Sequence, residues 1–186
     1  MSAVMLRRSG RWLVGGGLAL AFALLCNPGD LSAQRIGIEA GVTHVESFEG
    51  LRPTLGGSLS FGLTQRLRIL GTVTQWTGCP DDGCDEPRDG AGNRGFNLLG
   101  LFDVTGTPGL DVAVGAGMGW YEMRRPREGG AGSERYYDEA ITFAVQLRRE
   151  VAYNSGVYLR GETSLPIDDG NGHWTSLRLG VDVRPF

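Results

Sequence analysis

Apolar residues alternate with small or polar ones at period two in eight separate segments, and no stretch after residue 33 keeps a 3.6-residue apolar period. Side chains two apart share a face of an extended strand, so the pattern specifies half-apolar strands rather than amphipathic helices. The eight segments are 35–46, 54–64, 67–77, 95–104, 110–123, 139–149, 157–167 and 174–184. The fifth is the clearest: Leu110, Val112, Val114, Ala116, Met118 and Trp120 alternate with Asp111, Ala113, Gly115, Gly117 and Gly119. In the third the phase is open, because Ile69 and Val73 oppose Leu70 and Trp76.

The connections alternate in length. Short turns join the second and third segments (Gln65, Arg66), the fourth and fifth (Gly106 to Gly109) and the sixth and seventh (Asn154 to Gly156). The other four connections are longer and polar: 47–53, 78–94, 124–138 and 168–173. Short turns therefore gather at one end and long loops at the other. An even number of antiparallel strands of about ten residues with this loop asymmetry is the signature of a transmembrane β-barrel. The expected fold is all-β, an eight-stranded antiparallel up-and-down transmembrane β-barrel over residues 34–186.

The first 33 residues carry an address. Arg7, Arg8 and Arg11 precede an apolar, uncharged run over 12–25, and Leu31-Ser32-Ala33 supplies a small-residue end. This is the layout of a cleaved secretory signal peptide, too short and too glycine-rich for a spanning helix, which needs about 20 apolar residues. Cys26 follows Leu25 rather than the small residue that lipoprotein processing requires. All positive charge in the chain is Arg, and the net charge of −3 excludes the basic surface that nucleic acid demands. Removal of the leader leaves 15 Arg against 20 acidic residues and two cysteines, Cys79 and Cys84, which in an exported chain read as one disulfide.

The mature chain resembles the small eight-stranded outer-membrane barrels of the OmpA and OmpX type over nearly its whole length. Aromatic residues support this. Phe48, Trp76, Trp120, Tyr121, Tyr136, Tyr137 and Trp174 lie near the long-loop end, and Tyr153, Tyr158 and Phe186 near the other, as two interfacial girdles would. The terminal Phe186 resembles the aromatic signal read by the barrel-insertion machinery. The resemblance implies location in the bacterial outer membrane, contact with outer-membrane lipid and lipopolysaccharide, and a monomer without cofactor. The soluble rival is a lipocalin-like barrel holding an apolar ligand, with its apolar faces turned inward.

If the apolar faces meet lipid, the opposite faces line a narrow lumen. Five acids fall there, Glu39, Asp103, Asp111, Glu162 and Asp182, with five bases, Arg68, Arg148, Arg160, Arg178 and Arg184. An unpaired charge in so narrow a space is costly, so ion pairing and a plugged lumen are expected. Three other constellations carry less. The acidic loop from Cys79 to Asp89 has carboxylates for Ca²⁺, but its spacing does not match an EF-hand and it reads as a solvated loop. His44 with Ser47 and His173 with Ser176 place possible bases and nucleophiles near the outer rim, the arrangement of a lipid A-modifying barrel enzyme, yet no third orienting group accompanies them. Arg124, Arg125, Arg127 and Arg135 could pair with lipopolysaccharide phosphates. The reading therefore assigns no catalytic residue and no metal.

Overall fold

A computed structural model of the chain describes residues 34–46, 51–77, 91–105, 109–126, 133–167 and 172–185. The strands are β1 (Gln34–Val45), β2 (Leu51–Gly62), β3 (Leu67–Thr77), β4 (Ala91–Asp103), β5 (Leu110–Pro126), β6 (Ser133–Ala152), β7 (Ser155–Pro166) and β8 (Trp174–Val183). Each pairs antiparallel with the next and β8 pairs with β1, closing the barrel. The stagger can be followed through the partners. From Arg35 they run through Ser60, Leu70, Leu99, Gly117, Thr142, Ser164 and Trp174 and return to β1 at Val45, ten residues further on. A stagger of this kind tilts the strands across the barrel axis.

The sidedness is that of a membrane barrel. Ile38 is 69% exposed and Leu55 67%, while Arg160 is 0% and Arg148 1%. Val73, Leu98, Phe143 and Leu179 also face outward. In water such a surface would forfeit about 25 cal/mol for each square ångström of apolar area left unburied. Lipid is the medium in which it is stable, and barrels of this kind carry an apolar band about 25 Å tall. A lipocalin-like barrel, which buries its apolar faces inside, is excluded by the same observation.

The open phase of β3 resolves with Val73 outward and Leu70 and Trp76 inside, which places Arg68 in the lumen. This corrects one expectation. Trp76 and Trp174 do not belong to a lipid-facing girdle, because each shares its strand parity with inward residues, and both are buried inside. Tyr136 packs against the same interior cluster. Tyr121 and Tyr158 are likewise buried inside, whereas Trp120, in a tilted ring contact with Phe96 at 5.6 Å, and the exposed Tyr137 remain on the outer wall.

Several strands also run further than apolar alternation indicates. The β5–β6 ladder continues through Arg124↔Arg135 to Pro126↔Ser133, inside what reads in sequence as a long loop. Above the bilayer a hairpin needs no apolar face, so period two vanishes while backbone pairing persists. β2 starts at Leu51 and β4 at Ala91. The third short turn is Tyr153-Asn154, with Ser155 and Gly156 already in β7. Gly109, ahead of β5, takes φ of 83°, a left-handed conformation that favours glycine. The expected signal peptide, the expected Cys79–Cys84 disulfide, the acidic loop, Ser47, Phe48, Arg127 and Phe186 all lie outside the described residues.

Candidate functional site

The barrel interior gathers the polar side chains, and strand parity explains how. Residues opposite the lipid-facing phase point inward along every strand. They form a central ionic ring, a charged tier toward the short turns and an aromatic cluster toward the long loops.

The central ring is Glu39 on β1, Arg160 and Glu162 on β7, and Arg178 on β8. Arg178 Nη1 donates to Glu39 Oε1 at 2.7 Å, and Arg160 Nε lies 2.8 Å from Glu162 Oε1. Arg160 Nη2 also donates to Glu39 Oε2, and Arg178 Nη2 to Glu162 Oε2. Each guanidinium therefore touches both carboxylates, and all four residues are buried. Tyr158 Oη donates to Glu39 Oε2 at 2.9 Å, and Asn97 Nδ2 to Glu162 Oε2 at 2.9 Å. Arg160 Nη1 donates to Gln146 Oε1 at 3.4 Å and its guanidinium lies 5.3 Å from the Tyr158 ring centre. Two positive and two negative charges cancel here, and neutral donors and acceptors extend the network. Such pairing is needed where water is scarce, because a buried charge without partners costs several kcal/mol, although Arg178 Nε meets no acceptor among the described residues.

The tier toward the short turns is built on Asp182. Arg148 grips it with both forks, Nε to Oδ2 at 2.8 Å and Nη2 to Oδ1 at 2.9 Å. Arg148 Nη1 reaches Asp111 Oδ2 at 3.3 Å, and Arg68 Nη2 reaches Asp103 Oδ1 at 2.6 Å. Arg35 also enters this tier, 3.4 Å from Asp182 Oδ1. Two glycines make the room. A methyl group on Gly156 would strike the Arg148 guanidinium, and one on Gly180 the Tyr158 ring.

Toward the long loops, Tyr121 stacks on Trp174 at 4.8 Å and meets Trp76 edge-on at 6.1 Å. Val45, Met123 and Ala140 complete the cluster. Tyr121 Oη donates to Asn97 Oδ1 at 2.7 Å and lies 2.6 Å from Ser164 Oγ, which joins the aromatic cluster to the ring. The void between them is about 20 Å³, and a second one, beside Arg35 and Ser60, about 10 Å³. Each has room for about one water.

At the outer rim Glu46 and His173 clasp the seam between β1 and β8. Glu46 N–H donates to the His173 carbonyl at 3.1 Å, and His173 N–H returns a bond to Glu46 Oε2 at 3.1 Å. His173 Nδ1 lies 2.9 Å from the same oxygen. The His173 amide and the nearby imidazole hold the Glu46 carboxyl below its ordinary 4.5.

Of the ten charged residues expected in the lumen, Glu39, Arg148, Arg160, Glu162, Arg178 and Asp182 are buried there, and Arg68, Asp103, Asp111 and Arg184 are half-buried toward the short turns. Sequence reasoning missed Arg35 and Asn97, and it placed Tyr158 and Tyr121 in the girdles rather than the interior. Their signal was parity: Arg35 is in phase with Glu39, and Tyr158 with Arg160. Among the described residues, which do not include Ser47, the histidine–serine constellation is not assembled. His44 is exposed on the outer wall, His173 is engaged by Glu46, and Ser176 Oγ accepts from Arg178 Nη2 at 3.1 Å on the inner one. Arg135 pairs with Glu122 at 3.1 Å. Among the described residues no cluster of His, Cys, Asp and Glu is arranged to hold a metal ion.

No protein-family model and no curated protein matches the sequence. Solved structures do match. The N-terminal β-barrel domain of Pseudomonas aeruginosa OprF is 17% identical, with a TM-score of 0.57, covering 80% of this chain and 96% of that one. Neisserial surface protein A is 12% identical with a TM-score of 0.60, covering 81% and 96%. The attachment invasion locus protein Ail of Yersinia pestis is 12% identical with a TM-score of 0.53, covering 81% and 95%. At these identities the likeness is one of fold. With its outward apolar wall and its closed eight-strand order, the chain has the fold of the small eight-stranded outer-membrane β-barrels.

Proposed function

We propose that this chain is a non-enzymatic integral outer-membrane protein with a plugged lumen, serving envelope structure or contact at the cell surface. It is exported through a cleaved leader over residues 1–33, handed to the insertion machinery by Phe186, and stands as a monomer in outer-membrane lipid and lipopolysaccharide. The observation that carries the plug is the neutral ring of Glu39, Arg160, Glu162 and Arg178, closed above by the aromatic cluster of Trp76, Tyr121 and Trp174. The two voids beside these layers have room for about one water each, which supports the plug. The surface role is supported by the excess of polar chain at the long-loop end, which a plugged barrel does not need for transport.

Purified protein in a planar bilayer is expected to show no stable channel at low voltage. A steady, large conductance from the wild type overturns the plug, and increased leak in Arg160→Ala supports it. Lipid A mass spectra are expected to be the same with and without overexpression. A new lipid A species abolished by Ser176→Ala would replace this reading with an enzymatic one.

A further inference from the structure

Among the described residues, the tier toward the short turns holds more positive charge than its side-chain carboxylates neutralise. Four guanidiniums, Arg35, Arg68, Arg148 and Arg184, stand against three carboxylates, Asp103, Asp111 and Asp182. Arg148 occupies both oxygens of Asp182 and also takes Asp111, while Arg68 takes Asp103. Arg35 is left with the longest contact, 3.4 Å to an oxygen that Arg148 already holds at 2.9 Å. Arg184 is half-buried, and its buried Nε meets no acceptor among the described residues; the Nε of Arg68 is in the same condition. Glu150 has the inward phase but is exposed at its strand end, and among the described residues it makes no ion pair with any of the four.

This excess differs in kind from the central ring, where charges cancel. Guanidinium groups keep their proton in proteins, so the surplus is not relieved by titration. Ile36 pairs with Val183 across the β1–β8 seam, so the next residues along, Arg35 and Arg184, flank the same opening. Arg35 and Arg68 both line the void of about 10 Å³, with Ser60 between their strands; Asp182, held by Arg148, forms part of its wall, and Arg184 stands outside it at the mouth. A planar fork with free N–H groups, a second such fork and a hydroxyl are the donors that recognise a tetrahedral oxyanion.

We propose that the short-turn mouth of the barrel binds a phosphate-type oxyanion between Arg35, Arg68 and Arg184. The anion sits at the mouth, where it supplies the counter-charge that the tier lacks, and one of its oxygens enters the void. The same chemistry is offered by free phosphate in the periplasm and by a phospholipid headgroup at the inner rim.

Full-length mature protein labelled at arginine Nε can be followed by NMR in two media. In maltoside micelles, which contain no phosphate, inorganic phosphate is titrated. In nanodiscs, phosphatidylglycerol is compared with a lipid lacking phosphate. Saturable shifts at Arg35 and Arg184 are expected, with little effect at Arg66 on the exposed turn. Shifts in the first medium alone identify a soluble oxyanion, and shifts on adding phosphatidylglycerol identify the headgroup. Arg35→Gln should weaken phosphate binding by about tenfold or more, the effect of losing one charge-assisted hydrogen bond. An amide spectrum shows whether that variant keeps the barrel, and Arg184→Gln provides a second substitution at the same site. The proposal is overturned by no saturable shift in either medium, or by equal affinity in wild type and both variants.

Discussion

A glutamate shut away from water has to find its counter-charges in the same cavity, and Glu39 finds two. Removing it leaves Arg160 and Arg178 with one carboxylate between them, in space that offers water little room. Glu39→Ala is expected to lower stability by about 3–5 kcal/mol, the range for stranding a buried charge. Urea unfolding in lipid vesicles checks this, and a loss under about 1 kcal/mol would mean that water or an ion replaces the carboxylate. The glycines work at the same scale. A side chain on Gly180 meets the Tyr158 ring, so Gly180→Val is expected to cost about 1–3 kcal/mol by overpacking and to weaken the Tyr158–Glu39 bond. The same substitution at Gly161, where an added Cβ meets nothing within 4 Å, should be tolerated in the same assay.

Within single strands, lipid decides what a substitution costs. Leu55 is exposed on the outer wall of β2, so Leu55→Arg should destabilise by about 2–4 kcal/mol if it lies near the bilayer midplane. Unfolding midpoints of this variant and of Leu55→Ile in the same lipid test the point. The strand phases were largely legible in sequence, because seven strands state their apolar parity without ambiguity. Tyrosine and tryptophan were not, since they suit both a bilayer interface and a packed interior. Proximity to strand ends placed Trp76 and Trp174 in a girdle, whereas parity with Leu70 and with Arg178 places them inside. The upper β5–β6 hairpin was illegible for a different reason: backbone pairing outside the bilayer imposes no apolar period. At the seam between β1 and β8, the lowered Glu46 carboxyl carries a sign. Its interaction with His173 contributes above the ordinary 4.5 and is lost as pH falls through the lower folded value. A carbon-detected titration of Glu46 should give a midpoint below 4.5 that returns toward it in His173→Ala. Because the amide bond survives that substitution, the return should be partial.

At the scale of the whole molecule, an inverted protein, apolar outside and ionic within, has no stable closed form in water. Overexpressed protein should stay with the membrane pellet through a urea wash, and recovery in the soluble periplasm would contradict the outward apolar wall. The central ring adds a constraint on assembly. Its members come from β1, β7 and β8, which are the first strand and the last two. An insertion intermediate holding only β1 to β6 would expose the Glu39 carboxylate to the bilayer interior with neither arginine present, while the late strands bring two arginines and one glutamate. Each fragment carries an error of sign that only the other corrects. Closure of the β1–β8 seam is thus enforced by charge neutrality as well as by backbone pairing, and a chain halted before β7 is left with an acid that lipid will not accept.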